Sequence, residues 1–157
     1  MSDSNAPQTS KYDVFVSFRG EDIRHGFLSH LAKAFHQKKI NAFLDDKLQR
    51  GGEIWPSLVR AIEGSSISVV IFSQNYAASR WCLNELVKIL DCRDKSQHTV
   101  IPVFYNVDPT DQKHQKGSYE TAFAELAKKH EPPMLQIWRD ALNKSADLSG
   151  IKSTDFR

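Results

Sequence analysis

Residues 67–72 read ISVVIF, a near-continuous apolar run rich in β-branched side chains. A strand with one wet face alternates apolar and polar residues. A strand without that alternation is buried on both faces, as in the middle of a parallel sheet. The flanks agree with this placement. On the N-terminal side Ile54, Leu58, Ala61 and Ile62 recur at helical spacing, with Pro56 tolerated near the first turn and Gly64 closing the stripe. On the C-terminal side a loop at 73–79 precedes Leu83, Leu86, Val87 and Leu90, whose spacing predicts a helix over about 80–93.

Further out, YDVFVSF (12–18) predicts the first strand, ended by the polar turn Arg19, Gly20, Glu21 and Asp22. Phe27, Leu28, Leu31, Ala32 and Phe35 mark a helix over about 24–39, and INAFL (40–44) a second strand. The loop DDKLQRGGE (45–53) follows, where Gly51 and Gly52 permit sharp bends. VIPVFY (100–105) predicts a fourth strand; Pro102 cannot donate a ladder hydrogen bond, which places this strand near an edge or leaves one side unpaired. After a turn-rich loop at 106–117, Tyr119, Ala122, Phe123, Leu126 and Ala127 predict a helix. Pro132 and Pro133 break it, and Leu135, Trp138 and Leu142 mark another. Four strands alternating with helices specify parallel βαβ units in an open three-layer α/β sandwich. The residues alone show no fifth strand. The expected division is a leader over 1–10, one domain over 11–150, and the start of a linker to a larger parent protein at 151–157.

The chain has 157 residues, 40% hydrophobic and 25% charged, ordinary figures for one globular domain. With 21 Lys and Arg against 19 Asp and Glu, the net charge of +2 shows no basic stripe, which argues against a dedicated nucleic-acid binder. No apolar run approaches the ~20 residues of a membrane span, and the polar leader lacks a signal peptide's apolar centre. These features predict an intracellular protein. Cys82 and Cys92 stand ten positions apart on one predicted helix, about 15 Å of rise and too far for a disulfide.

Open parallel sheets bind ligands beyond the carboxyl ends of their strands, where strand order reverses. For the order 2-1-3-4 that crevice lies between FRGEDIR (18–24) and SQNYAASRWCLNEL (73–86), with DDKLQRGG (45–52) beside them. Glu85 is expected in the opening turn of the third helix, where an acid complements the helix dipole or serves as a catalytic carboxylate. Trp81 either packs or stacks a base. Arg19, Arg24, Arg50 and Lys47 are solvated cations or phosphate ligands, and Gly20 forms a turn or lets a ligand approach the backbone. There is no GxGxxG, GxxxxGK, CxxC or HExxH motif, and His25, His30, His36, His98, His114 and His130 form no ligand cluster. A phospho-accepting receiver domain would need an aspartate where Ser73 stands.

The blocks YDVFVSFRGEDIR (12–24), INAFLDDKLQRGGEI (40–54), ISVVIFSQNYAASRWCLNEL (67–86) and VIPVFYNVDPTDQKHQKGSY (100–119) together resemble a plant TIR (Toll/interleukin-1 receptor) domain. Such domains are typically the N-terminal modules of nucleotide-binding leucine-rich-repeat immune receptors. The resemblance implies a flavodoxin-like open parallel sheet of five strands, order 2-1-3-4-5, with helices on both faces. It implies cleavage of NAD+ or NADP+ at the nicotinamide glycosidic bond with no further cofactor or metal, and places the catalytic glutamate at Glu85. The same resemblance assigns substrate binding to Arg19, Gly20, Arg24, Arg50 and Trp81. Clustering would follow through homotypic contacts, and contacts with other TIR domains, in which Ser29 and His30 match a Ser-His interface pair. Cell-death signalling, through lipase-like proteins that bind the nucleotide products, in the cytoplasm or nucleus, is also implied. Ile23 stands where the family often has threonine, and Gly52 where a glutamate is frequent. The alternative is a scaffold that signals by contacts alone.

Overall fold

The computed structural model describes residues 12–23, 26–44 and 55–152. Five parallel strands, β1 (Val14–Ser17), β2 (Ala42–Phe43), β3 (Ile67–Phe72), β4 (Thr99–Phe104) and β5 (Ile151–Lys152), stand in the order 2-1-3-4-5. The apolar run 67–72 holds the centre, with Phe15 opposite Ser68 on one side and Val70 opposite Pro102 on the other.

Side chains alternate across a strand, and that alternation sorts β1 between two cores. Val14 and Val16 join Phe18, Ile71 and Val103 on one face; Phe15 faces the opposite layer with Val70, Phe72 and Phe104. Ser17 shares the direction of Phe15. The first core is covered by α2 (Phe27–Gln37), through Phe27, Leu28, Leu31 and Phe35, none of them fully buried. The second is covered by α3 (Trp55–Gly64), α4 (Arg80–Lys95), α6 (Ser118–Leu126) and α7 (Pro132–Ala146). Burying a large apolar side chain contributes about 1.5–3 kcal/mol, so this layer, with Leu58, Ile62, Leu83, Phe123 and Trp138 all essentially buried, holds most of the fold together. Trp138 also donates through Nε1 to Asn84 Oδ1 at 3.0 Å, joining α7 to α4.

Three expectations change. The polar turn after β1 is a short helix, α1 (Gly20–Ile23), because Ile23 is buried and draws the segment back onto the sheet. The loop 106–117 contains α5 (Pro109–Lys113), capped by the Asp108 carboxylate, which accepts from Thr110 N at 2.8 Å. Gln112 of α5 is buried and donates to Leu142 O and Ser145 Oγ, at 3.1 and 3.0 Å, in α7. The third change is at the C-terminal end, where Ile151–Lys152 belong to the sheet rather than to a linker; they pair with Val103 and Phe104. Gly150 serves close approach there: a Cβ built on it would lie 2.3 Å from the Pro102 carbonyl oxygen and 2.6 Å from its Cγ. The conflict posed by Pro102 is thereby resolved. The β5 pairing begins at the next residue, Val103, so the N–H that Pro102 lacks falls at the start of that ladder, and the backbone of Gly150 packs against its carbonyl and ring. Pro132 and Pro133 open α7 at its first positions, where a missing N–H is harmless.

Candidate active site

Strand order reverses between β1 and β3, and the segments leaving their carboxyl ends build one crevice. Asp22 of α1 ties these segments together. Its carboxylate accepts from Ser73 Oγ, from Asn75 N at 2.8 Å and from Asn75 Nδ2 at 3.2 Å. Arg19 makes a second tie, donating to Asn75 O at 3.3 Å and pairing with Glu21 at 3.0 Å. Beyond Asn75 a 3₁₀ turn (Tyr76–Ala78) leads to Ser79, whose Oγ accepts from Cys82 N at 3.2 Å and starts α4.

That cap fixes the depth of Glu85. With Arg80 as the first helical residue, Glu85 lies in the second turn rather than in the expected opening turn, and no acid occupies the first. Its residue is fully buried. A solvated acid complementing the helix dipole is therefore not what stands here. Instead Ser17 Oγ, at the end of β1, donates to Glu85 Oε1 at 2.8 Å, and Tyr76 Oη lies 2.8 Å from the same hydroxyl. Tyr76 also donates to Cys82 O at 3.0 Å. Burial pushes the Tyr76 phenol well above its ordinary range, with Cys82 and Glu85 adding in the same direction, so it stays neutral. Burial does the same to Tyr119, which donates to Ser73 O at 2.8 Å and braces the crevice from α6.

One turn above Glu85 on the same helical face, Trp81 is half-buried, 6.5 Å from Trp55 and beneath the Arg80 guanidinium, which lies 5.2 Å from its ring centre. Trp81 and Arg19 line a cavity of about 550 Å³, with Ser79, Leu126, Lys129 and His130. The structure thus brings together Arg19, Trp81 and, behind them, Glu85; Gly20 is buried as the first residue of α1 and does not line this cavity. Arg24 and Arg50, with Lys47, lie outside the described residues. Ser29 and His30 are exposed on α2, across the sheet from α4, where His30 Nδ1 lies 2.8 Å from Gly26 O. The sequence reading did not single out Ser17, Tyr76, Asp22, Arg80, Lys129 or His130 as site residues. Ser17 carried a signal: a polar residue at an inward position of a strand buried on both faces. Among the described residues no three His, Cys, Asp or Glu side chains gather as metal ligands, and no helix is long and apolar enough to cross a membrane.

The chain is 48% identical to disease resistance protein RPV1 of Vitis rotundifolia over 151 residues, covering 96% of this chain and 11% of that protein. It is 48% identical to TMV resistance protein N of Nicotiana glutinosa over 153 residues, covering 96% of this chain and 13% of that one. It therefore spans about an eighth of the length of these relatives. Among solved structures, the TIR domains of the activated Roq1 resistosome directly recognizing the pathogen effector XopQ match with a TM-score of 0.83 and 45% identity, over 92% of this chain and 89% of that chain. The TIR domain of the Toll-related receptor TRR-2 from Hydra magnipapillata, 18% identical at a TM-score of 0.56, shares the fold. The TIR domain family model matches residues 11–157, which take in every strand and helix described above, and the chain belongs to that family.

Proposed function

We propose that this TIR domain is an NAD+ or NADP+ nucleosidase that cleaves the nicotinamide–ribose bond on self-association and so initiates immune and cell-death signalling in a plant cell. The observation that carries this reading is the carboxylate of Glu85, held by Ser17 one helical turn behind a cavity walled by Trp81 and rimmed by Arg19. The chemistry suits a single carboxylate. Ordinary glycoside hydrolysis needs an acid for the leaving oxygen and a second carboxylate as base or nucleophile. Nicotinamide leaves from a pyridinium and takes the bonding electron pair with it as a neutral molecule, so no proton donor is required. Glu85 offsets the charge on the oxocarbenium-like ribosyl centre. Water then forms the new C–O bond and loses a proton to solvent, giving ADP-ribose or its 2′-phosphate. Arg19, Arg24 and Arg50 hold the phosphates, Gly20 and Trp81 border the substrate, and no cofactor takes part.

Self-association is supported by the likeness to the TIR domains of a resistosome, with Ser29 and His30 of α2 as exposed contact residues. The domain would act in the cytoplasm or nucleus, alone or with other TIR domains. A second reading, a scaffold that signals by contact and cuts no bond, is favoured by the burial of Glu85 in the single chain. Nicotinamide release at rising protein concentration with a crowding agent separates the two. Turnover that climbs faster than linearly and vanishes in Glu85→Gln supports the enzyme; inert wild type under conditions where it demonstrably assembles supports the scaffold.

A further inference from the structure

The cavity beside Trp81 is rimmed by basic side chains from three separate elements: Arg19 after β1, Arg80 at the start of α4, and Lys129, with the His130 imidazole, after α6. Among the described residues its lining holds no acid. Arg19 already pairs with Glu21, and His130 lies edge-on to Trp138 at 4.9 Å. Arg80 and Lys129 form no ion pair with any described residue, so the two uncompensated charges face the same space.

A second cavity, of about 380 Å³, shares Ala78, Leu126 and Lys129 with the first and continues along α6 over Ala122 to Asn75 and Thr121. The crevice therefore presents, in order, an aromatic face, a group of basic side chains, and an apolar floor rimmed by the Asn75 amide, the Ser118 and Thr121 hydroxyls and the Glu125 carboxylate, which pairs with Lys128 at 3.1 Å. A dinucleotide has the matching order: a ring, a pyrophosphate, and a second nucleoside. Guanidinium and ammonium groups are the side chains that hold phosphate oxygens.

We propose that Arg80 and Lys129 are phosphate ligands for the pyrophosphate of an NAD-class dinucleotide, and that the Asn75–Thr121 end of the crevice seats the nucleoside farther from Glu85. The assignment rests on the nucleosidase reading for its choice of ligand, but its test does not need turnover. ADP-ribose, adenosine and inorganic pyrophosphate are titrated into wild type, Arg80→Ala, Lys129→Ala and the double variant, following the Trp81 indole resonance by NMR. Both positions are exposed, so the variants keep the fold. ADP-ribose is expected to shift the Trp81 signal, with binding weakened about 3- to 10-fold by each single variant and lost at millimolar concentration in the double, as removal of charge-assisted phosphate contacts requires. Its wild-type affinity should fall with added salt. Adenosine should bind weakly and equally to all four proteins, and pyrophosphate should compete with ADP-ribose. Wild-type affinity for ADP-ribose in the double variant, or no Trp81 shift at millimolar ADP-ribose, overturns the assignment. The same proteins are then assayed for NAD+ cleavage. If wild type consumes none under conditions where it demonstrably assembles, while the variants still lose ADP-ribose, the nucleosidase reading fails and the crevice stands. If wild type is active and the double variant keeps both KM and affinity, the crevice fails and the nucleosidase stands.

Discussion

Removing one buried hydroxyl, in Ser17→Ala, should separate a positioned carboxylate from one that merely fills space. Ser17 and Glu85 are both fully buried, and the 2.8 Å bond between them fixes Oε1 from the β1 side. A hydrogen bond to a charged group contributes about 1.5–3 kcal/mol net. If that bond holds the carboxylate where ribosyl charge develops, its loss appears in the transition state. At about 1.4 kcal/mol per tenfold in rate, kcat falls about 10- to 150-fold while KM changes little. The alanine leaves no strain, so the fold survives with about 1–3 kcal/mol less stability, or a few degrees in Tm per kcal/mol. The assay is nicotinamide release against NAD+ concentration, at protein concentrations adjusted by light scattering to equal degrees of assembly. Tyr76→Phe provides the internal comparison: it removes the 2.8 Å contact to Ser17 but leaves the Ser17–Glu85 bond, so its kcat should fall by less. Equal kcat in wild type and Ser17→Ala, in a series where Glu85→Gln is dead, would refute the reasoning and reduce Ser17 to a packing residue.

Three further outcomes test the frame around the site. Gly150→Ala sets a Cβ 2.3 Å from the Pro102 carbonyl, so β5 must shift; about 1–3 kcal/mol of stability is lost, and an unchanged urea midpoint would show that β5 is not held against β4. Trp138→Phe removes the bond to Asn84 and part of a buried ring, costing about 1–3 kcal/mol by urea unfolding, and an unaltered midpoint would deny α7 its part in holding α4. Burial holds the His98 imidazole below its ordinary pKa of 6.5, outweighing a hydrogen bond to the Ser65 backbone. The unfolded chain then takes up a proton near pH 6.5 that the folded chain refuses, so stability falls as pH drops through 6.5 and levels off below the folded value. His98→Gln should lose less stability than wild type between pH 7.5 and 5.5; parallel losses would contradict this.

The central strand was legible because its burial on both faces is written in composition: nothing polar interrupts 69–72. β5 was not, because two exposed residues carry no periodicity. What holds them is the absence of a side chain at Gly150 opposite a proline, a fact about two distant positions that neither reveals alone. The same reason hid α1. GEDI is too short for a helical stripe, and only the burial of Ile23 against the far face turns it.

The site divides along a similar line. Glu85, Trp81 and Arg19 belong to contiguous blocks, so a resemblance could reach them. Arg80 and Lys129 stand 49 positions apart and share a cavity only because Tyr119 and Ser118, bonded to the carbonyls of Ser73 and Gln74, dock α6 beside the segment leading into α4. Ser17 lies between these cases. Its inward phase is readable from β1 alone, but a buried serine can bond its own backbone as readily as a distant partner. What makes it consequential is the Ser79 cap, which starts α4 at Arg80 and so brings Glu85 level with the end of β1. A helix begun one residue earlier or later would rotate residue 85 by about 100° off this face and leave Ser17 facing another side chain. The position of the carboxylate is thus set by a cap six residues away, and Ser79→Ala, which weakens that cap by about 1 kcal/mol, should loosen Glu85 and lower kcat while leaving Ser17 and Tyr76 in place.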